Sequence, residues 1–83
     1  MEVLYFGRVR QRVGLHRETI APPADVTDVD ALIDWLRARG EPYDGALEDR
    51  HAIRVAVNQE LCDFKTPVAG DDEVALFPPM TGG

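Results

Sequence analysis

One stretch sets most of what this 83-residue chain can become: "TDVDALIDWLRARGEP", residues 27–42. Val29, Leu32, Ile33 and Leu36 recur at the spacing of one apolar helix face. Thr27 is placed as the N-cap, with Asp30 three residues later completing a weak capping box. Asp28 and Asp30 suit the positive end of the helix dipole, and Arg37 and Arg39 the negative end. Gly40 stands where a left-handed C′ residue belongs, and Pro42 blocks any continuation. Trp35 lies off the stripe and reads as a core-edge residue. A helix with a single apolar stripe needs one partner layer, and in a chain this short that layer is a sheet.

The flanking segments supply it. "EVLYFGRVR", residues 2–10, is rich in β-formers and reads as a strand, with Gly7 marking a bulge or a close approach. "RVGLH" reads as a turn around Gly14, and "HRETIA" (16–21) as a second strand ended by Pro22-Pro23. Residues 41–50 read as irregular or as a short helical turn. In "AIRVAVN" (52–58), Ile53, Val55 and Val57 alternate with Ala52, Arg54 and Ala56, which predicts a strand with one buried face. Asn58-Gln59-Glu60 is the turn into "LCDF", since Asn tolerates the left-handed conformation. "AGDDE" is a further turn, and "VALF" (74–77) the last strand. The predicted order is ββ, α, βββ. If strands one and five lie side by side in the sheet centre, the fold is α+β, a β-grasp (ubiquitin-like) roll of about five strands under one main helix.

Composition narrows the function classes. Hydrophobic residues make up 45% and charged ones 29%, ordinary for a single globular domain. No run approaches the roughly 18 apolar residues of a membrane span. The N-terminus lacks the basic region and cleavage site of a secretory signal, so a cytoplasmic location is expected. Net charge is -6, against the basic stripe that nucleic-acid binding requires. Arg8, Arg10 and Arg12 alternate and would line one face of the first strand, either as a solvated face balanced by nearby acids or as a basic stripe. Cys62 is the single cysteine, so no internal disulfide forms, and it reads as a small buried hydrophobe. No phosphate-binding loop, dinucleotide motif or zinc motif is present. The acidic runs Glu48-Asp49 and Asp71-Asp72-Glu73 fall in predicted turns, where solvated carboxylates belong. No cofactor and no metal is expected on this chain.

The remaining chemical candidate is the end of the sequence, "FPPMTGG". Pro78 and Pro79 fix their own φ and bias the preceding residue to extended backbone, throwing the chain outward from the last strand. From Pro79 to Gly83 it spans roughly 16 Å at about 3.3 Å per residue. Gly82 and Gly83 lack a Cβ, so they thread a channel too narrow for other residues. Such a tail delivers the Gly83 carboxylate into another protein's active site. A carboxylate becomes electrophilic once AMP is transferred to it, after which sulfur or an amine can displace the AMP. The alternative is an inert end. Alternation in "VALF" turns Phe77 away from the helix, so Phe77, Pro78 and Met80 are expected to carry much of the docking energy. The alternative is that Phe77 caps the core edge.

"VAVNQELCDFKTPVAGDDEVALFPPMTGG" resembles the C-terminal half of the molybdopterin synthase small subunits, the MoaD family of ubiquitin-like sulfur carriers. The family pattern is matched at Val57, Asn58, Asp72, Glu73, Val74, Ala75, Pro78, Pro79, Thr81, Gly82 and Gly83. "VLYFGRVRQRVG" is similar to the family's opening. Two positions depart: Gly70-Asp71-Asp72 stands for Asp-Gly-Asp, and Met80 for the usual valine. The resemblance implies a β-grasp domain over residues 1–78 and an extended tail over 79–83. It implies that a ubiquitin-activating-like enzyme adenylates Gly83 with ATP and that a desulfurase- or rhodanese-type donor converts it to a thiocarboxylate. Sulfur then passes to cyclic pyranopterin monophosphate in the large subunit of a heterotetramer. Phe77, Pro78, Pro79, Met80, Thr81 and Gly82 would contact that partner. No nucleic acid and no membrane is among the implied partners. Rival readings are a carrier for thiamin or tRNA thiolation, and a protein modifier that joins Gly83 to target lysines.

Overall fold

The computed structural model describes residues 1–79. Five strands form one mixed sheet: β1 (Glu2–Tyr5), β2 (Arg17–Thr19), β3 (Arg54–Val57), β4 (Glu60–Cys62) and β5 (Glu73–Phe77), in the order β2-β1-β5-β3-β4. β1 and β5 run parallel at its centre, with Val3 beside Val74 and Tyr5 beside Leu76. The other pairs are antiparallel. The β-grasp arrangement expected from the element order is therefore present, with its two end strands as neighbours.

The main helix, α2 (Val29–Ala38), lies on one face of this sheet. All four stripe residues are fully buried, together with Val3, Tyr5, Val55, Val74 and Leu76 from the strands. At about 25 cal/mol per Å² of apolar surface, that shared layer supplies the main force of folding. Trp35 packs at the core edge, as expected, and Cys62 packs there as well. The N-cap is Asp28 rather than Thr27: its Oδ1 accepts from the Ala31 N–H at 2.8 Å. The loop before β5 does the rest. Carbonyls of Thr66 and Phe64 accept from the Val29 and Asp30 N–H groups at 3.1 and 2.9 Å. Asp30 is thus released from capping and pairs with Arg50 and Lys65.

The first predicted strand is half helix. After Tyr5 the chain turns into α1 (Gly7–Val13), which buries Val9 and Val13, four residues apart. Arg8, Arg10 and Arg12 therefore sit on a helix and do not share a strand face. Gly14 is not a hairpin turn but the left-handed end of α1, with φ 86° and its N–H bonded to the Arg10 carbonyl. Residues 41–50, read as irregular or as a short helical turn, hold the short helix α3 (Tyr43–Ala46), and a 3₁₀ turn follows at Arg50–Ala52. Gly40, at φ 91°, closes α2 as expected.

One polar knot ties an edge strand to the helices. Glu18 of β2 accepts from the Tyr5 hydroxyl at 2.7 Å, the Tyr43 hydroxyl at 2.9 Å and the Arg39 guanidinium at 3.3 Å. Burial, then the bond to Glu18, pushes both phenols above their ordinary range. Among the described residues no buried side-chain nitrogen or oxygen lacks a partner, and none of their helices is long and apolar enough to cross a membrane.

Candidate functional site: the root of the tail and the open sheet face

β5 leads into Pro78 and Pro79, and both its neighbours hold it in register to the end. Phe77 is paired with Arg54 of β3. On the other side the Phe6 N–H donates to the Leu76 carbonyl at 3.0 Å. The strand that carries the proline pair is therefore fixed in the middle of the sheet rather than fraying from an edge.

The close approach anticipated at Gly7 is to Pro78. A Cβ on Gly7 would stand 2.8 Å from Pro78 Cγ and 2.9 Å from Cδ, and the residue has φ +56°. Both facts demand glycine. Its missing side chain is the seat of the first tail proline, which aims the chain as it leaves the sheet.

The face away from α2 forms the surroundings. Phe6 and Phe77 flank the exit, and Phe6 is 38% exposed. Phe77 is half-buried and takes no part in the core, so it does not cap the core edge. One register row further from the exit stand Leu4, Ala75, Ala56 and Leu61, one on each of four adjacent strands. The two alanines make a flat floor, and Leu61 rises from it at 73% exposure. Partly exposed apolar side chains thus run across four strands, a patch of the kind that docks protein partners. Leu4, Phe6, Ala56 and Leu61 were missed by sequence reasoning. Only the alternation of β3 and β4, read together with the strand order, could have found them.

Of the predicted partner-binding residues, Phe77, Pro78 and Pro79 lie together at this exit. Met80, Thr81 and Gly82, and the predicted reactive residue Gly83, lie outside the described residues. Among the described residues, nothing near the exit is arranged as a nucleophile–base pair. Cys62 Sγ is turned to the Val55 carbonyl at 3.8 Å. Among the described residues, no three His, Cys, Asp or Glu side chains stand close enough to hold a metal ion. The apolar cleft at the opposite end of β1 and β5, lined by Met1, Ile20, Pro22, Pro23, Val68 and Ala69, holds no titratable side chain.

The ThiS family pattern matches residues 3–83. The chain belongs to the ThiS family. Within it, the chain is 42% identical over 83 residues to the molybdopterin synthase sulfur carrier subunit of Escherichia coli (strain K12), covering 100% of this chain and 99% of that protein. The sequence resemblance to the small subunits thus extends over the whole chain. Two solved structures share the fold. SAMP1 of Haloferax volcanii, a small archaeal modifier protein, superposes with a TM-score of 0.73 at 28% identity, over 99% of this chain and 97% of that one. The complex of subunits 1 and 2 of the molybdopterin-converting factor from Helicobacter pylori contains a chain matching at TM-score 0.63 and 28% identity, over 99% of this chain and 96% of that one.

Proposed function

We propose that the chain is the sulfur-carrier subunit of a molybdopterin synthase, with the Gly83 α-carboxylate as its reactive group. The observation that carries this reading is the seating of Pro78 on Gly7 at the end of a central strand. It gives the Gly-Gly segment a rigid origin, and it sets that origin beside an apolar docking face. Support also comes from the Escherichia coli relative, named a molybdopterin synthase sulfur carrier subunit, and from the Helicobacter pylori structure, a complex of subunits 1 and 2.

On this reading a ubiquitin-activating-like enzyme joins the carboxylate to AMP, releasing pyrophosphate from ATP. The persulfide of a desulfurase- or rhodanese-type donor then displaces AMP at the acyl carbon, and a thiol cleaves the resulting acyl disulfide, leaving the thiocarboxylate and a disulfide between that thiol and the donor. The open face docks on the large subunit through Phe77, Pro78 and Leu61. Pro79, Met80, Thr81 and Gly82 lead the thiocarboxylate to cyclic pyranopterin monophosphate. The chain orients and carries, while the catalytic groups belong to its partners. The small subunit with its large subunit forms a heterotetramer in the cytoplasm.

The test is reconstitution. The chain converted to its Gly83 thiocarboxylate and mixed with a large subunit should form molybdopterin, and the same chain with one alanine added after Gly83 should form none. Unimpaired product from the extended chain sinks the proposal. A second reading, protein modification, is favoured by the likeness to SAMP1. Mass spectrometry separates the two: replacement of one oxygen by sulfur marks a carrier, and Gly83 linked to a lysine marks a modifier.

A further inference from the structure

The chain carries nine Lys and Arg side chains against fifteen Asp and Glu. Five of the nine are paired with carboxylates: Arg17 with Glu2, Arg37 with Asp44, Arg39 with Glu18, Arg50 with Asp30 and Asp34, and Lys65 with Asp30. Nine minus five leaves Arg8, Arg10, Arg12 and Arg54, which pair with no carboxylate among the described residues. With acids in such excess, scarcity does not explain this.

Three of the four belong to the segments that meet at the root of the tail, the start of α1 and the start of β3. Arg8 follows Gly7, on which Pro78 rests. Arg54 stands opposite Phe77. Arg10 lies between them in kind: its Nε donates to the Tyr5 carbonyl at 2.8 Å, and its guanidinium sits 5.1 Å from the centre of the Phe6 ring. Arg54 is likewise steadied by the Ile53 carbonyl, at 3.3 Å from Nη1. These partners are neutral, so they restrain the guanidinium groups without cancelling their charge. Nearby acids stay out of contact: Glu48 and Asp49 share a cleft with Arg8 and Arg12, and Asp63 shares one with Arg54. Arg12 lies one turn further along α1, away from the exit.

We propose that Arg8, Arg10 and Arg54 form a cationic collar that recognises carboxylates on the protein receiving the tail. This rests on the reading that the tail enters a partner, and it adds the chemistry of that partner's rim: acidic side chains around the channel mouth. A planar guanidinium fork matches a carboxylate in two parallel hydrogen bonds. Charge at an interface rim acts mainly on encounter rate and on rejection of wrong partners. In a chain of net charge -6, a local positive ring also orients approach, turning the tail end of the molecule toward the acidic partner.

Two measurements decide it. The first uses the free protein and a hexaglutamate peptide at low salt, with the arginine Nε–Hε resonances as the readout. The peptide should shift those of Arg8, Arg10 and Arg54 and spare those of Arg17, Arg39 and Arg50. Uniform shifts, no shifts, or shifts produced by inorganic phosphate but not by the peptide each overturn the collar. The second measures binding to the large subunit as salt is raised. The Arg8→Gln/Arg54→Gln double variant should lose about tenfold in affinity, with a flatter salt dependence, while Arg17→Gln stays within about twofold of the parent. An unchanged affinity and slope in the double variant overturns the collar. If the parent protein fails to bind the large subunit while the peptide still shifts the three arginines, the carrier reading fails and the collar stands.

Discussion

The two ends of the central β1–β5 pair are built on opposite terms. Where the strands begin, polar groups satisfy one another. Asn58 donates from Nδ2 to Asp72 and accepts on Oδ1 from the Glu73 N–H, both at 3.0 Å. Glu2 takes Thr19 and Arg17, and the Met1 amino group donates to the Ile20 carbonyl. Where the strands finish, Phe6 and Phe77 face outward, three arginines have no carboxylate partner among the described residues, and a glycine gives its side-chain volume to a proline. The first end closes the fold. The second leaves its bonding capacity for another molecule. In so small a domain, a surface that satisfies itself is structural, and one that does not is where function is to be sought.

Variants at the two ends should therefore separate binding from stability. The largest effect is expected from Phe77→Ala: about 30-fold weaker binding to the large subunit, near 2 kcal/mol, with under about 1 kcal/mol lost from unfolding in urea. Equal losses in both would erase the contrast. Gly7→Ala comes next, at about 2 kcal/mol of unfolding free energy, because a side chain there is strained in φ and strikes Pro78; a variant as stable as the parent would show that Pro78 can move aside freely. At the closed end, Asn58→Ala should lose about 1–2 kcal/mol by stranding Asp72 and the Glu73 N–H, with affinity for the large subunit intact by calorimetry.

The smallest effect is in pH dependence. The Asn58 amide, then the Ala69 N–H, holds the Asp72 carboxyl below its ordinary 3.8. A carboxyl depressed in the folded state binds protons more readily once unfolded, so its stabilisation is present above the ordinary value and fades as pH falls below it. Asp30, depressed by Arg50, acts in the same direction. Melting temperature should drop as pH is lowered through this range, and less steeply in Asn58→Ala. Parallel curves would remove the clamp from the account of acid unfolding.

The exposure of Leu61 sharpens the comparison in another way. It lies on an edge strand of three residues, Glu60–Cys62, joined to β3 by a turn in which Asn58 and Gln59 both have positive φ. That geometry is the tight hairpin turn whose twist matches its strands. It explains how so short a strand is held, and why its central side chain stands clear of the core.

Much of this protein was legible as a string because the signals were local. The spacing of Val29, Leu32, Ile33 and Leu36, with Gly40 behind them, determines α2 within four turns of chain. The alternation in β3 and β5 follows from the two-residue period of a strand. What tertiary structure alone decided is where local preference met a distant neighbour. Residues 7–13 lie in a stretch of β-formers yet form a helix, because Val9 and Val13 bury together in the shared core and Pro78 occupies the space beside Gly7. The cap of α2 passed from Thr27 to Asp28 because a loop nearly forty residues away supplies carbonyls to the first turn. The open face, too, exists only once the four strands are ordered, since no segment by itself records which side chains will stand beside those of another strand.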